Sequence, residues 1–182
     1  MISLPTEIPE KLKREIRTVS NFIYTHPELG YQENLASLQI SDFLKQHGFS
    51  VEHPFCGLLT AFCGRISVGD MADTPCVSVL AEYDALPEIG HACGHNLITA
   101  AALCAACLAA ETAQKSNIPF NLCIIGTPAE EGGGGKIQLL QKNAFSGVDL
   151  ALMAHPGGFT ETDNGALGVA RARVAFHGKS AH

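Results

Sequence analysis

The sequence contains few basic residues, and its Lys and Arg residues are not clustered in any one segment. Its 182 residues include 12 Lys and Arg against 18 Asp and Glu, which gives a formal net charge of -6 at pH 7. Nucleic-acid-binding proteins gather Lys and Arg on one surface because these residues neutralise phosphates. The charge balance therefore argues against a nucleic-acid partner.

Signals for membrane insertion or secretion are also missing. Met1 to Pro9 has neither the charged start nor the apolar stretch of a signal peptide. The longest low-charge segment, Leu97 to Ala110, is shorter than the roughly 20 residues needed to cross a bilayer. We therefore expect a cytoplasmic protein with no membrane partner. In that compartment the seven cysteines are expected to be free, mostly buried thiols rather than a disulfide framework.

Aromatic residues make up only 7% of the chain, although hydrophobic residues of all kinds make up 46%. A composition rich in small apolar side chains is typical of a folded globular protein and excludes a disordered or fibrous one. A chain of this length has room for one domain and the beginning of a second.

Apolar periodicity predicts an α/β fold. Helical spacing and helix stop signals predict helices at 9–25, 32–47, 96–114 and 136–143. Short apolar runs predict strands at 49–51, 58–65, 76–81, 120–126 and 149–154. Strand and helix alternate in the second half of the chain, which indicates a doubly wound, mostly parallel sheet with flanking helices. We assign residues 1–168 to this domain. Residues 169–176 alternate in polarity, which predicts a strand that leaves it.

Polar residues capable of chemistry follow the predicted strands. In such sheets, sites form at the carboxyl ends of the strands, so four separate segments should meet at one edge. The candidate residues are Glu82 and Asp84 after the strand 76–81, Cys93 and His95 at the start of the alanine-rich helix, Glu130 and Glu131 after the strand 120–126, and His155 after the strand 149–154.

Cys93, His95, Glu131 and His155 together offer one sulfur, two nitrogens and one oxygen, a set suited to zinc or a neighbouring first-row ion. Taken singly, each of them is more often a structural residue. The adjacent carboxylates of Glu130 and Glu131 are costly at the end of a buried strand unless a cation or a proton compensates them. One carboxylate that holds a metal beside one that acts as a base would remove that cost.

The four glycines at 132–135 suggest a nucleotide-binding loop, but their spacing does not fit one. A P-loop ending at Gly135-Lys136 would require Gly in place of Glu130, and Ser or Thr in place of Ile137. The adjacent carboxylates would also repel phosphates. Nucleotide binding is therefore the weaker alternative.

Five motifs resemble those of the amidohydrolase branch of the aminoacylase-type metallopeptidases, peptidase family M20, subfamily D. Within that branch the chain looks most like p-aminobenzoyl-glutamate hydrolase subunits and the dipeptidases that cleave Xaa-Arg or β-alanyl-lysine. The motifs span nearly the whole chain in the family's order: His26-Pro-Glu-Leu-Gly30, Glu82-Tyr-Asp-Ala-Leu86, His91-Ala-Cys-Gly-His95, Pro128-Ala-Glu-Glu-Gly132 and Gly178-Lys-Ser-Ala-His182.

The resemblance implies a zinc-exopeptidase catalytic domain, of the phosphorylase/hydrolase-like fold, that binds two divalent metal ions. Zinc is expected first, with manganese or cobalt as alternatives. It implies that Cys93 bridges the ions and that His95, Glu131 and His155 are further ligands. Roles away from the metals are implied for three residues: Glu130 as general base and acid, Asp84 as the carboxylate that orients a ligand, and His182 as the histidine that stabilises the oxyanion.

The implied activity is hydrolysis of an amide bond in a dipeptide or an N-acyl amino acid by a metal-activated water. Residues 169–182 would begin a lid and dimerisation domain, and the full-length protein would be a homodimer. His26 has no metal role in this family, and His91 is expected only to neighbour the site. The family's later segments and its last metal-binding histidine do not occur in the sequence, so we expect a fragment. The alternative is a shortened homologue that binds metal without turnover.

Overall fold

The computed structural model describes residues 7–70, 73–162, 165, 168, 170, 172–179 and 181, which form an α/β fold. Its elements, in chain order, are α1 (Glu10–Thr25), α2 (Asn34–Gln46), β1 (Ser50–Glu52), β2 (Phe62–Val68), β3 (Cys76–Ala81), α3 (His95–Ser116), β4 (Phe120–Gly126), α4 (Gly135–Gln141) and β5 (Leu150–Leu152).

The five strands form one mixed sheet in the order β1-β2-β4-β3-β5. β3 pairs in parallel with β4 and with β5, whereas β2 runs antiparallel to β4 and to β1. The parallel pair at the centre is in register from Cys76 opposite Asn121 to Ala81 opposite Gly126. The carboxyl ends of β3 and β4 therefore lie side by side, as the position of a site at this edge requires.

Helices cover both faces of this sheet, as expected for a doubly wound α/β domain. Alternate residues of a strand point to opposite faces, and β4 follows this rule. Leu122 and Ile124 pack into a core shared with α1, α2 and α3, whereas Cys123 and Ile125 pack into a second core shared with Leu139 of α4. The near-continuous apolar sequence of β4 is thus explained by burial on both sides.

The predicted strand at 169–176 has no counterpart among the residues that the structure describes there. Residues 170 and 172–176 are exposed and form neither helix nor strand. An alternating pattern forms a strand only where a neighbouring strand completes its hydrogen bonds, and none of the described residues does so here.

α3 is longer than the low-charge segment 97–110 within it. By length and composition alone, its 22 residues would suffice to cross a bilayer. Its buried face, which includes Ala102, Leu103 and Ala106, packs against α1 and the sheet. Small alanine side chains permit this close approach, and α3 therefore has the contacts of a core helix.

Candidate metal centre

The candidate site lies at the carboxyl ends of β3, β4 and β5, where α3 begins. Glu82 and Asp84 follow β3 directly, and His95 is the first residue of α3. Glu130 and Glu131 lie four and five residues beyond β4, while His155 lies three residues beyond β5. The convergence of four segments at one sheet edge, predicted from the sequence, is present in the structure.

His95 is held in one orientation by Asp84. Its Nδ1 lies 2.8 Å from the carbonyl oxygen of Asp84 and 2.9 Å from Oδ1 of the same residue. Both partners are acceptors, so Nδ1 must carry the proton and donate it. Nε2 of a neutral His95 is then left with a free lone pair, the arrangement by which proteins prepare a histidine for metal binding.

The charges around this pair stabilise its ionised forms. Burial lowers the pKa of His95, but the hydrogen bond to Asp84 and the charges of Asp84 and Glu82 outweigh it, so this pKa lies above its usual value. Burial raises the pKa of Asp84, but hydrogen bonds from His95 and from the backbone N–H of Glu131 outweigh it, so that pKa lies below its usual value.

Three carboxylates face the free nitrogen of His95. Nε2 lies 3.3 Å from Oε2 of Glu82, 3.6 Å from Oε1 of Glu131 and 3.8 Å from Oε2 of Glu130. His95 is 1% exposed, and its Nε2 has no hydrogen-bond partner among the described residues. A buried, unpartnered nitrogen surrounded by carboxylate oxygens fits a divalent cation, which would satisfy all of them.

Glu130 and Glu131 differ in exposure. The Glu130 side chain is 43% exposed, against 20% for Glu131. The backbone N–H of Glu131 donates to Oδ2 of Asp84 at 2.9 Å, so one carboxylate fixes both His95 and the Glu131 backbone. Glu131 has the more buried position that suits a ligand, and Glu130 has the more open position that suits a base in contact with substrate.

His155 places a second imidazole near that of His95. Its ring lies 6.3 Å from the ring of His95, centroid to centroid, in an edge-on arrangement. Its Nδ1 donates to the carbonyl of Pro156 at 2.8 Å, which leaves Nε2 free. Single ligand atoms of Glu82, His95 and His155 all lie within 4.8 Å of one another, as do those of His95, Glu130 and Glu131.

Cys93 lies beside the same carboxylates. A hydrogen bond to Glu131, burial and the charges of Glu131, Glu130 and Asp84 raise the pKa of the Cys93 thiol to about 11. This environment keeps the thiol protonated unless a cation replaces its proton. The structure thus places Cys93 beside Glu131. Among the described residues, neither of the two compact groups of donor atoms given above includes Cys93.

Three other histidines have different positions. His91 is buried, and its pKa is lowered by burial and by the neighbouring His95, which agrees with its expected place next to the site. His26 stacks on Phe22 and bonds the Phe22 carbonyl through Nδ1, a local structural role. His182, predicted to stabilise the oxyanion, lies outside the described residues.

Three residues to which the sequence analysis assigned no function also support the site. Glu82 faces His95, and the ammonium of Lys136 forms an ion pair with the second oxygen of Glu82. The fully buried Glu33 accepts the backbone N–H of Ala129 at 2.8 Å and the hydroxyl of Thr60 at 2.7 Å. The sequence could have indicated that Glu82 belongs to the site, because it lies two residues before Asp84 and residues two apart on an extended chain point the same way. No comparable signal identifies Glu33.

The loop that carries Glu130 and Glu131 is held by close backbone contacts. Ala129 has a positive φ of 56°, an uncommon conformation for a residue other than glycine. A Cβ added at Gly30 would lie 2.8 Å from the Cβ of Ala129, so the absence of a side chain at Gly30 lets the segment after α1 pack on this loop. Tyr31 donates its hydroxyl to the carbonyl of Gly133 at 2.5 Å.

Comparison with known proteins identifies relatives of this chain. A family profile described as peptidase family M20/M25/M40 matches residues 79–180, more than half of the chain. The chain is 35% identical to the Xaa-Arg dipeptidase of Mus musculus over 95% of its own length, and 30% identical to a p-aminobenzoyl-glutamate hydrolase subunit of Escherichia coli over 90%. These alignments cover 42% and 37% of the two relatives, so the chain spans about two fifths of their length.

A solved structure supports the fold. A Bacillus subtilis protein, described as a dinuclear metal binding peptidase of the M20 family, superposes with a TM-score of 0.68 at 23% identity. The match covers 79% of this chain and 42% of that one. The mixed sheet and its flanking helices are therefore those of this family's catalytic domain.

Proposed function

The chain belongs to peptidase family M20/M25/M40, and from that membership we propose that it is part of a metal-dependent hydrolase. The bond cleaved is an amide of a dipeptide or of an N-acyl amino acid. The names of the two curated relatives, an Xaa-Arg dipeptidase and a p-aminobenzoyl-glutamate hydrolase subunit, both denote hydrolysis of such a bond and support the proposal.

The observation that carries the proposal is the unpartnered Nε2 of His95. Asp84 fixes the opposite nitrogen, and the free one faces Glu82, Glu130 and Glu131 within 3.8 Å. Lone pairs and negative charges at this separation repel one another unless a cation lies among them. The residues present therefore fit a metal centre.

We propose two zinc ions, held by Cys93, His95, Glu131 and His155. The mixed sulfur, nitrogen and oxygen set favours zinc, and manganese and cobalt are the alternatives that a direct comparison would separate. When bound, such cations supply Lewis acidity, which lowers the pKa of a water and polarises an amide carbonyl.

The chain's own residues supply the proton transfers. Glu130 is exposed enough to meet both water and substrate, and its Oε2 lies 3.8 Å from Nε2 of His95, farther than the nearest oxygens of Glu82 and Glu131. In the proposed mechanism its carboxylate takes a proton from the attacking water and passes it to the leaving amine. Asp84 keeps the proton of His95 on Nδ1 throughout. His182 is proposed to donate a hydrogen bond to the developing oxyanion.

The test compares Glu130→Gln with Glu131→Gln. Zinc content is measured by elemental analysis, and hydrolysis is measured with an Xaa-Arg dipeptide, p-aminobenzoyl-glutamate and an N-acetyl amino acid. We expect Glu130→Gln to retain zinc and to lose roughly 100-fold or more in turnover, because it lacks only the base. Glu131→Gln should lose zinc as well.

Three outcomes would contradict parts of this proposal. Exchange of the two phenotypes would mean that the roles of Glu130 and Glu131 are reversed. Zinc binding with no hydrolysis of any substrate would favour a metal-binding homologue without turnover. A folded chain that takes up no divalent cation would overturn the metal centre itself.

We also propose that the protein acts in the cytoplasm as a homodimer. All seven cysteines are free in the structure, which suits a compartment that keeps thiols reduced. Cell fractionation tests the location, and light scattering tests the assembly. A secreted protein, or a monomer with full activity, would contradict the respective proposal.

A further inference from the structure

Glu82 presents a carboxylate oxygen to which the roles proposed above give no function. The residue is 1% exposed, and its Oε1 accepts a hydrogen bond from Nζ of Lys136. Its Oε2 makes no hydrogen bond to any described residue and lies 3.3 Å from Nε2 of His95. An unpartnered, buried carboxylate oxygen is costly, so its position requires a compensating group.

The neutral ring of His95 does not supply that compensation. Nδ1 of His95 already donates to the two oxygens of Asp84, so Nε2 of the neutral ring and Oε2 of Glu82 face each other as two acceptors. Protonation of Nε2 would place one positive charge beside Oε2, and a divalent cation bound by both atoms would compensate the carboxylate and also use the lone pair of the ring.

We propose that Glu82 is a further ligand of the metal centre and binds the same ion as His95. This inference rests on the proposed function, since it adds a residue to the centre proposed there. Ligand atoms about 2 Å from a tetrahedral zinc ion lie about 3.3 Å apart, the separation found between Nε2 and Oε2. His155 adds a third ligand atom within 4.8 Å of both.

Lys136 is the positioning residue for this ligand. It is the second residue of α4, and it reaches back across the site to the buried oxygen of Glu82. Its ammonium fixes one carboxylate oxygen so that the other points towards His95. It also compensates the charge of Glu82 when no metal ion is bound, because a buried charge without a partner is strongly destabilising.

The experiment titrates zinc into the chain by calorimetry and compares the chain with Glu82→Gln. We expect the substitution to weaken zinc binding roughly tenfold or more, because a ligand oxygen is replaced by an amide. The matched control is Glu111→Gln, which removes a carboxylate that pairs with Lys115 on α3, away from the site. Its zinc affinity should equal that of the unmodified chain.

A second variant tests the counter-ion. Lys136→Met should lower the melting temperature of the metal-free chain, because the charge of Glu82 loses its partner. Zinc should then raise this melting temperature by more than it raises that of the unmodified chain. Combining Lys136→Met with Glu82→Gln should restore the metal-free melting temperature while leaving zinc binding weak.

The outcomes separate this inference from the proposed function. If the unmodified chain binds zinc and Glu82→Gln binds it with the same affinity and stoichiometry, Glu82 is not a ligand and only this inference fails. If the unmodified chain binds no divalent cation, both fail. If Glu82→Gln does not fold, the Lys136→Met comparison decides. In that case, if zinc raises the melting temperature of Lys136→Met by the same amount as that of the unmodified chain, Glu82 is not a ligand.

Discussion

Asp84 accepts two hydrogen bonds that arise from different segments of the chain. Oδ1 accepts from the ring of His95, and Oδ2 accepts from the backbone N–H of Glu131. Both partners are donors, so the site requires a side chain with two acceptors at this position. Aspartate satisfies that requirement, whereas its amide offers one acceptor and one donor.

Asp84→Asn should therefore weaken metal binding by about 10- to 100-fold. The amide group of Asn would face either His95 or the N–H of Glu131, and one of these donors would lose its acceptor. Zinc titration measures the effect, and Asp42→Asn is the control, because Asp42 is exposed on α2 and pairs only with Lys45 among the described residues. Unchanged zinc affinity in Asp84→Asn would show that the orientation of His95 does not depend on this carboxylate.

The electrostatic environment of Glu33 differs from that of Asp84. Glu33 is fully buried, and its described contacts include no cation. Burial raises the pKa of Glu33, although the hydroxyl of Thr60 and the N–H of Ala129 partly offset this. A carboxyl group whose pKa is higher in the folded state binds a proton more tightly there than in the unfolded chain. Its contribution to stability is thus complete below its ordinary pKa of 4.5 and is lost as the pH rises through the folded-state pKa.

We expect Glu33→Gln to remove this part of the pH dependence. The free energy of unfolding, measured with urea from pH 4 to pH 7, should fall less with rising pH than in the unmodified chain, because Gln does not ionise. Glu52→Gln, at an exposed position on β1, should keep the original dependence. A Glu33→Gln variant with the unmodified pH dependence would contradict the assignment of a raised pKa.

The loop between β4 and α4 depends on close backbone packing that no side chain larger than hydrogen permits. A Cβ added at Gly135 would lie 1.8 Å from the carbonyl oxygen of Pro128. Gly133 is similarly enclosed, with Ala129 and Tyr31 under 3 Å from an added Cβ. These contacts bend the chain back directly after Glu131, and they give a packing reason for glycine at positions 133 and 135.

Gly135→Ala should therefore lower the free energy of unfolding by about 1–3 kcal/mol, because the backbone must move away from Pro128. Urea unfolding measures the loss. Gly158→Ala is the control, since an added Cβ there meets no atom of a described residue within 4 Å. Equal stabilities of the two variants would show that the loop accommodates a methyl group at Gly135.

At the level of elements, the sequence predicted most accurately the strands that are buried on both faces. β3 and β4 begin and end where their apolar runs do, and α1 and α3 differ from prediction by one or two residues. The antiparallel pairing of β2 with β4 was not predicted, because the neighbour that a strand pairs with is set by tertiary packing and not by the apolar pattern of that strand. The strand predicted at 58–65 begins only at Phe62, because residues 55–61 form turns closed by backbone hydrogen bonds.

The sequence predicted those residues of the site that come shortly after a strand. Asp84, Glu131 and His155 converge because each follows a parallel strand, a rule that needs no coordinates. The inward position of Glu82 and the ion pair with Lys136 depend on where α4 begins relative to β3. Such a distance arises from tertiary packing, which local sequence patterns do not specify.

For the molecule as a whole, β5 is an exposed edge. It has three residues, pairs only with β3 among the described residues, and leaves Leu150 and Leu152 each 51% exposed. An apolar edge strand presents unpaired backbone groups that favour association with another chain.

The chain should therefore self-associate with increasing concentration. Sedimentation velocity measures this, and Leu152→Lys should reduce it because a charge on an edge strand opposes pairing. Leu59→Lys, which places a charge at another exposed leucine, is the matched control and should leave the association unchanged. A chain that stays monomeric at all concentrations would contradict the prediction.

The pairing of Ala81 with Gly126 has a consequence for how metal and folding are linked. Glu82 and Asp84 follow one of these residues, and Glu130 and Glu131 follow the other. A slip of one residue between β3 and β4 would displace the two sets by about 3.3 Å, more than a metal–ligand bond of about 2 Å. A cation held by Glu82 from one set and Glu131 from the other can be bound in only one alignment of the two strands. Its binding free energy therefore stabilises that alignment over every slipped pairing of the same apolar strands.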